Sequence, residues 1–255
     1  MMNKTFNNYY LENIIKESQN EGELILKFEN ASYNMKDLEY ATEFNVETNI
    51  TFSGNKDGTI FDYNNFKRGK FYISFSTKNN NNNKIIVKFE NIIFRNYSGG
   101  DNYRTKDLYM ILITLKIRID INIVFENCTF SNNSQDLINF NNFNVSKVYV
   151  IKFEECKFID NRGLFYSKHI HFIFESYSDE RNKSVFLTSY YGNDVITINN
   201  SVFEDIYIKY PVPLLDINNI KIDNVKSNYG YLFKFNYCND NDYYVTINSS
   251  DFSSM

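Results

Sequence analysis

One short pattern recurs along the chain and constrains its fold more than any other feature. It reads VKFENIIF at Val87–Phe94, IVFENCTF at Ile123–Phe130 and IKFEECKF at Ile151–Phe158. Related strings occupy residues 26–33, 196–203, 220–227 and 245–252. The central phenylalanines Phe125 and Phe153 are 28 residues apart, and the last three units are spaced by 24 and 25 residues. Such a period is typical of a solenoid, in which stacked units share one core.

Within each unit the apolar alternation slips by one residue. Val87 and Phe89 alternate with polar residues, but the next apolar residues of the same frame are Ile92 and Phe94. A single strand cannot slip in this way without a bulge or a bend, so we expect two strands joined by a sharp turn. Asparagine usually stands at the turn, and it tolerates left-handed backbone geometry well. The predicted turn ladder comprises Asn30, Asn91, Asn127, Asn200 and Asn224.

Stacking the units predicts three inward columns of side chains. The first contains Phe28, Phe89, Phe125, Phe153, Ile198, Ile222 and Ile247. The second contains Ala31, Ile92, Cys128, Cys156, Ser201, Val225 and Ser250. The third contains Tyr33, Phe94, Phe130, Phe158, Phe203, Ser227 and Phe252. Nine of the 24 phenylalanines of the chain stand in these columns, and aromatic side chains fit a pleated surface.

Cys128 and Cys156 occupy the same position in two successive units. Neighbouring strands are about 4.8 Å apart, a separation that a disulfide can span. The alternative is a pair of reduced thiols that pack as small apolar side chains. We favour the reduced pair, and the sequence leaves both open.

The N-terminal segment has a different pattern. Leu11, Ile14 and Ile15 follow helical spacing, which predicts a short helix over residues 9–20. Such a helix would cover the exposed edge of the first coil, as solenoids require. The coils are then expected over residues 23–255, in a single domain over residues 1–255 that could be a fragment of a larger protein.

The order of helix Leu11–Ser18, strand Glu23–Phe28 and the string NITFSGNKDGTIFDY at residues 49–63 resembles the opening of pectin-lyase-like right-handed β-helices. The resemblance implies an all-β fold: a single-stranded, right-handed parallel β-helix with a short N-terminal capping helix. That superfamily includes polysaccharide lyases and hydrolases, and also non-enzymatic surface and scaffold proteins.

No catalytic residue is assigned from the sequence. The hydrolases of the superfamily carry N-T-D, D-D, G-H-G and R-I-K strings, and none of these is present. The sequence therefore favours a non-catalytic module for binding or scaffolding. A divergent polysaccharide lyase or glycoside hydrolase is one alternative, and a passive spacer in a large surface protein is another.

Two sets of residues are candidates for ligand contacts. Asp240 and Asp242 lie in an Asn-Asp-Asn-Asp run, whose oxygen atoms suit Ca²⁺, and no other cofactor is expected. The tyrosine pairs place one ring on each side of a strand, and the outward rings could stack on sugars. These pairs are Tyr190 with Tyr191 and Tyr243 with Tyr244.

Charge and hydropathy limit the partners. The formal net charge is −4 with both signs mixed, so a nucleic acid is not expected to bind. No apolar stretch reaches the roughly 20 residues of a membrane span, and the first residues lack the apolar core of a signal peptide. Glycosylation sequons are frequent, at Asn30, Asn127 and Asn132 among others, which favours an extracellular or cell-surface protein with a carbohydrate or protein ligand.

Overall fold

The computed structural model describes one α-helix and a series of short strands. It covers residues 7–19, 23–38, 41–75, 84–98, 109–115, 121–135, 137–142, 149–161, 165–167, 170–175, 178–180, 187–189, 195–199, 202–204, 214–218, 221–223, 245–248 and 251–253. Helix α1 is Asn8–Ser18, and a 3₁₀ turn occupies Met35–Asp37.

The strands are short and follow one another closely along the chain. In chain order they are β1 Leu24–Lys27, β2 Ser32–Asn34, β3 Ala41–Val46, β4 Ile50–Ser53, β5 Thr59–Asp62, β6 Lys70–Phe75, β7 Ile85–Glu90, β8 Ile92–Arg95, β9 Ile111–Leu115, β10 Ile121–Glu126, β11 Thr129–Ser131, β12 Ile138–Asn142, β13 Tyr149–Glu154, β14 Lys157–Ile159, β15 Phe165–Ser167, β16 Ile170–Glu175, β17 Ser178–Glu180, β18 Leu187–Ser189, β19 Val195–Asn199, β20 Val202–Glu204, β21 Leu214–Asn218, β22 Lys221–Asp223, β23 Val245–Asn248 and β24 Asp251–Ser253.

The described strands form three sheets, and all their pairings are parallel. Sheet A has the order β1-β4-β7-β10-β13-β16-β19-β21-β23, and sheet B has the order β2-β5-β8-β11-β14-β17-β20-β22-β24. Sheet C has the order β18-β15-β12-β9-β6-β3. Each coil, meaning one pass of the chain through the sheets, stacks on the coil before it. The protein is mostly β with stacked parallel sheets and one short helix, and it is compatible with a parallel β-helix.

Aromatic rings stack through the core beneath sheet A. The rings of Phe52, Phe89, Phe125, Phe153 and Phe174 follow one another with centroid separations of 4.6, 4.9, 4.9 and 5.2 Å and interplanar angles below 10°. Each of the five residues is at most 1% exposed. Offset aromatic pairs at these distances add about 0.5–1.5 kcal/mol each beyond the burial of area. The stack therefore joins successive coils.

In-register pairing identifies the members of each column. In sheet A the column runs through Leu26, Phe52, Phe89, Phe125, Phe153, Phe174, Ile198, Ile217 and Ile247. In sheet B it runs through Tyr33, Phe61, Phe94, Phe130, Phe158, Asp179, Phe203, Ile222 and Phe252.

The prediction of the first column was wrong at two positions, Ile222 and Phe28. Ile222 lies in sheet B between Phe203 and Phe252, and Ile217 occupies the place in sheet A. The third predicted column has Ser227 between Phe203 and Phe252, but Ile222 occupies that position in sheet B. Ser227 lies outside the described residues. The short apolar alternation of β22 fits either sheet equally well, and only strand pairing separates them. Phe28 follows β1 and packs edge-on against Phe61 at 4.9 Å, because Leu26 is the residue paired with Phe52.

The turn between sheets A and B has left-handed residues at its centre. The φ angles are 57° at Asn91, 48° at Asn127 and 53° at Glu155. The Nδ2 of Asn127 donates to the Oδ1 of Asn91 at 2.7 Å, so the side chains bond along the stack. Asn30 was wrongly included in this ladder, because its φ is not positive. Asn200 and Asn224 lie outside the described residues.

The coil of β4 and β5 replaces this single-residue turn by a loop from Gly54 to Gly58. A Cβ atom at Gly54 would lie 2.1 Å from the carbonyl oxygen of Asn91 in the next coil. The N–H of Gly54 donates to the carbonyl of Glu90 at 2.9 Å, which holds this close approach in place. Glycine is required at Gly54 because no other residue leaves room for the neighbouring turn.

A second ladder at the other end of sheet B was missed by the sequence analysis. Asn96, Asn132 and Asp160 follow β8, β11 and β14 with φ angles of 59°, 54° and 55°. The residues after the last two, Asn133 and Asn161, are buried, and the Nδ2 of Asn133 donates to the Oδ1 of Asn161 at 2.8 Å. The signal was an Asn or Asp two residues after the column phenylalanines Phe94, Phe130 and Phe158.

Helix α1 covers the edge of β3. Its N-cap is Asn7, whose Oδ1 accepts from the Tyr10 N–H at 2.8 Å, and Leu11 is buried on the inner side. The N–H of Glu43 in β3 donates to the Oε1 of Glu12 at 2.9 Å. Gln19 donates its Nε2 to the Asn45 carbonyl at 2.7 Å, and its Oε1 accepts from the Glu47 N–H. Polar side chains of the helix thus bind backbone N–H and C=O groups at the sheet edge, which could otherwise pair with a strand of another chain.

Candidate functional surfaces

The outer side of sheet A carries two in-register columns of mainly polar side chains, which we call the sheet A face. One column is Thr51, Lys88, Val124 and Lys152, and the other is Ser53, Glu90, Glu126 and Glu154. All eight side chains are partly exposed, because they alternate with the buried core residues along β4, β7, β10 and β13. Successive members lie about 4.8 Å apart, the spacing of paired strands.

Ion pairs connect these two columns. The Nζ of Lys88 lies 2.7 Å from the Oε2 of Glu90 and 2.8 Å from the Oε2 of Glu126, so it bridges two coils. The Nζ of Lys152 lies 2.9 Å from the Oε2 of Glu154. Each half-exposed pair contributes little to stability, about 0–1 kcal/mol. Their main effect is to fix the orientation of the side chains on the sheet A face.

The same contacts keep these groups charged. The hydrogen bond from Lys88 is the largest influence on the pKa of Glu90, and with the Ser53 hydroxyl at 2.7 Å it holds that pKa below its ordinary value despite partial burial. Partial burial by itself would lower the pKa of Lys88. The hydrogen bonds to Glu126 and Glu90 outweigh that effect and raise the pKa of Lys88 above its ordinary value.

A second polar cluster surrounds Asp62 at the end of β5. The Arg95 Nε donates to the Oδ2 of Asp62 at 2.9 Å, and the Asn96 Nδ2 donates to its Oδ1 at 3.0 Å. The Asn64 N–H also donates to Oδ1, at 2.9 Å. Burial alone would raise the pKa of Asp62, but these hydrogen bonds and the charge of Arg95 together hold it below its ordinary value. The cluster joins the coil of β5 to that of β8.

The Asp62 cluster predicts a loss of stability in acid. Because the pKa of Asp62 is lowered by folding, its contribution is complete above the pKa of the unfolded chain, about 3.9, and is lost as pH falls through the folded value. We expect the urea midpoint to fall as the pH drops below about 4, and Asp62→Asn to flatten part of that fall. The matched control is Asp57→Asn, which removes an exposed carboxylate from the Gly54–Gly58 loop. Equal flattening in both variants would contradict the assignment to Asp62.

A groove of about 620 Å³ lies between α1 and the edge of sheet C. Its lining includes Glu12, Lys16, Gln19, Glu43 and Glu47. Glu12 and Gln19 are engaged in hydrogen bonds to the backbone of β3. The groove is therefore explained by the way the helix attaches to the coils, and we assign no ligand to it.

The two cysteines of the described repeats are free and fully buried. The Sγ of Cys128 donates to the Phe89 carbonyl at 3.5 Å, and the Sγ of Cys156 donates to the Phe125 carbonyl at 3.3 Å. Burial, with the adjacent thiol of Cys128, raises the pKa of Cys156 well above its ordinary value. Both side chains pack as small core residues, as in the reduced alternative.

The ligand candidates from the sequence all lie outside the described residues, namely Asp240, Asp242, Tyr190, Tyr191, Tyr243 and Tyr244. Calcium binding and sugar stacking at these positions therefore stay predictions. Among the described residues, no three His, Cys, Asp or Glu side chains gather as a metal ion would need. The part of the chain that the structure describes has no helix long and apolar enough to cross a membrane.

Comparison with known proteins adds no relative to this description. No family model, curated protein or solved structure matches the chain. Among the described residues, the sheet A face combines in-register columns of charged side chains with one ion pair, Lys88–Glu126, that bridges neighbouring coils.

Proposed function

We propose that this chain is a non-catalytic binding or scaffolding module at an extracellular or cell-surface location. Its framework would be a right-handed parallel β-helix similar to the pectin-lyase-like superfamily. The observation that carries the proposal is the sheet A face, on which lysine–glutamate pairs in β7 and β13 flank Glu126 of β10 in register. We infer that this face binds a carbohydrate or a protein.

The construction of the sheet A face suits recognition. The Glu90 carboxylate and the Lys88 ammonium hold each other in fixed positions, so little side-chain entropy is lost when a ligand binds. The lowered pKa of Glu90 keeps it an acceptor for ligand hydroxyl or N–H groups at neutral pH. A general acid in glycoside hydrolysis would instead need a carboxyl group with a raised pKa.

The exposure of the sequons supports the location. Asn30, Asn127 and Asn132 each begin an N-x-S/T sequence and lie exposed at turns between strands. Glycans at these turns would project from the corners of the stack. The flat sheet A face between the corners would stay accessible to a partner.

Binding measurements can test the proposal directly. The full chain is screened on a glycan array and in pull-downs from cell-surface extracts, and any ligand found is then titrated against variants. We expect Lys88→Ala with Lys152→Ala to weaken binding by about tenfold or more, since contacts near the centre of an interface dominate affinity.

The matched control replaces two lysines elsewhere, Lys56→Ala in the Gly54–Gly58 loop and Lys157→Ala in β14 of sheet B. Both are exposed, so the change in net charge is the same. Unchanged affinity in the control supports the sheet A face. Equal weakening in both variants contradicts it, and turnover of a polysaccharide by the wild-type chain overturns the non-catalytic function. Failure to find any ligand in both screens favours a passive spacer.

A further inference from the structure

Two buried thiols occupy the same position in neighbouring coils, and the sheet A face makes no use of them. Cys128 and Cys156 precede β11 and β14, whose Thr129 and Lys157 are paired in register. The N–H of Lys157 donates to the Cys128 carbonyl at 2.9 Å, which fixes the two cysteines one above the other. Ile92, the first residue of β8, holds the corresponding position in the coil before Cys128.

We propose that Cys128 and Cys156 form a latent disulfide site, a dithiol that a small disulfide oxidant such as glutathione disulfide converts into a cross-link between the two coils. In-register strands place the two Cα atoms about 4.8 Å apart, within the 4.4–6.8 Å range of disulfides. Each thiol bonds to a carbonyl of the preceding coil, Cys128 to Phe89 and Cys156 to Phe125, so both side chains point the same way along the stack.

The reaction is a double thiol–disulfide exchange. The thiolate of one cysteine attacks a sulfur of glutathione disulfide, and one glutathione thiolate leaves. The thiolate of the other cysteine then attacks the protein sulfur of the mixed disulfide and displaces the second glutathione. The protein loses two protons and two electrons, and glutathione disulfide is reduced to two glutathione molecules.

Burial controls when this exchange occurs. Neither thiol is exposed, and the raised pKa of Cys156 makes its thiolate rare in the closed stack. Attack therefore requires the coils to open locally, and the rate of oxidation follows the opening equilibrium. In-register strands hold their Cβ atoms about 4.8 Å apart, slightly beyond the roughly 3.5–4.5 Å of relaxed disulfides. The cross-link is therefore expected to be strained and to be reversed easily by thiol reductants.

The test uses the full chain with Cys238→Ser, so that the pair provides the only thiols. The protein is incubated with glutathione disulfide at urea concentrations from zero to just below the unfolding midpoint. We expect a loss of two hydrogens in the intact mass, at a rate that rises with urea. A peptide map under non-reducing conditions should show the peptide of Cys128 linked to that of Cys156. The melting temperature should rise by several degrees, because the cross-link restricts the unfolded chain.

Variants separate a true pair from two independent thiols. With Cys128→Val added, the remaining Cys156 should retain one glutathione as a stable mixed disulfide. A stable mixed disulfide on the protein that keeps both cysteines would overturn the proposal. So would two free thiols after prolonged incubation near the midpoint. This result does not depend on the proposed binding function.

Discussion

Replacing Phe125 by alanine is expected to lower the free energy of unfolding by about 3–5 kcal/mol, the range for deleting a buried aromatic ring. The ring is fully buried and stacks at 4.9 Å on Phe89 below and at 4.9 Å on Phe153 above. It also contacts Phe130 of the adjoining strand edge-on, at 5.9 Å. A cavity at this position removes contacts with both neighbouring coils and with the other side of the turn.

Urea unfolding with hydrogen exchange provides the measurement. Since each coil contacts only its neighbours, a break in the middle of the stack can divide unfolding into two transitions, and exchange then identifies which coils open first. Phe125→Leu is the conservative control, which keeps most of the buried volume and should cost well under half as much. Phe66→Ala removes a ring that is 50% exposed and should change stability by less than about 1 kcal/mol. Similar losses at Phe66 and Phe125 would contradict the stacked core.

Replacing Asn133 by leucine is expected to cost about 2–6 kcal/mol, because buried polar groups lose their partners at about 1–3 kcal/mol each. The Oδ1 of Asn133 accepts from the Tyr97 N–H at 2.8 Å, and its Nδ2 donates to the Phe94 carbonyl at 3.2 Å. Leucine has nearly the same volume but can make neither bond. The backbone N–H of Tyr97 is then left in the core without its acceptor.

The neighbouring residue offers a matched control. Asn132 is exposed with φ of 54°, so Asn132→Gly removes a side chain without straining the turn. We expect this variant to unfold within about 0.5 kcal/mol of the wild type. Urea midpoints and amide exchange at Tyr97 provide the readouts. An Asn133→Leu protein as stable as Asn132→Gly would show that the buried amides do not hold the coils together.

The repeat predicted much of the core, and its errors have a common origin. Phe89, Phe125 and Phe153 share a column in the structure because each lies at the same place in a strand of six residues before a turn. The columns at Phe28 and Ile222 could not be assigned from the sequence, because short strands of both sheets share one apolar alternation. The sequence around Asn30 resembles that around Asn91, but the φ angle of Asn30 is not positive. A local pattern does not specify which strand is its neighbour.

The candidate surfaces were less predictable than the core. The second ladder and the Asp62 cluster depend on residues 28 or more positions apart, such as Asn133 with Asn161 or Asp62 with Arg95. No spacing rule within one repeat reveals such partners when coil length varies. The sheet A face was likewise hidden, since Lys88 and Glu126 become neighbours only after β7 and β10 pair.

The sequence by itself determined that the chain folds as stacked short strands with a turn at each slip in the alternation. Periodic burial is a local property of the residues, so it can be read without knowing any partner. Only the tertiary structure decided which coils adjoin, which asparagines bond along the stack, and that Cys128 and Cys156 lie as buried free thiols in neighbouring coils. Those features depend on the register between strands, which is fixed by contacts between distant parts of the chain.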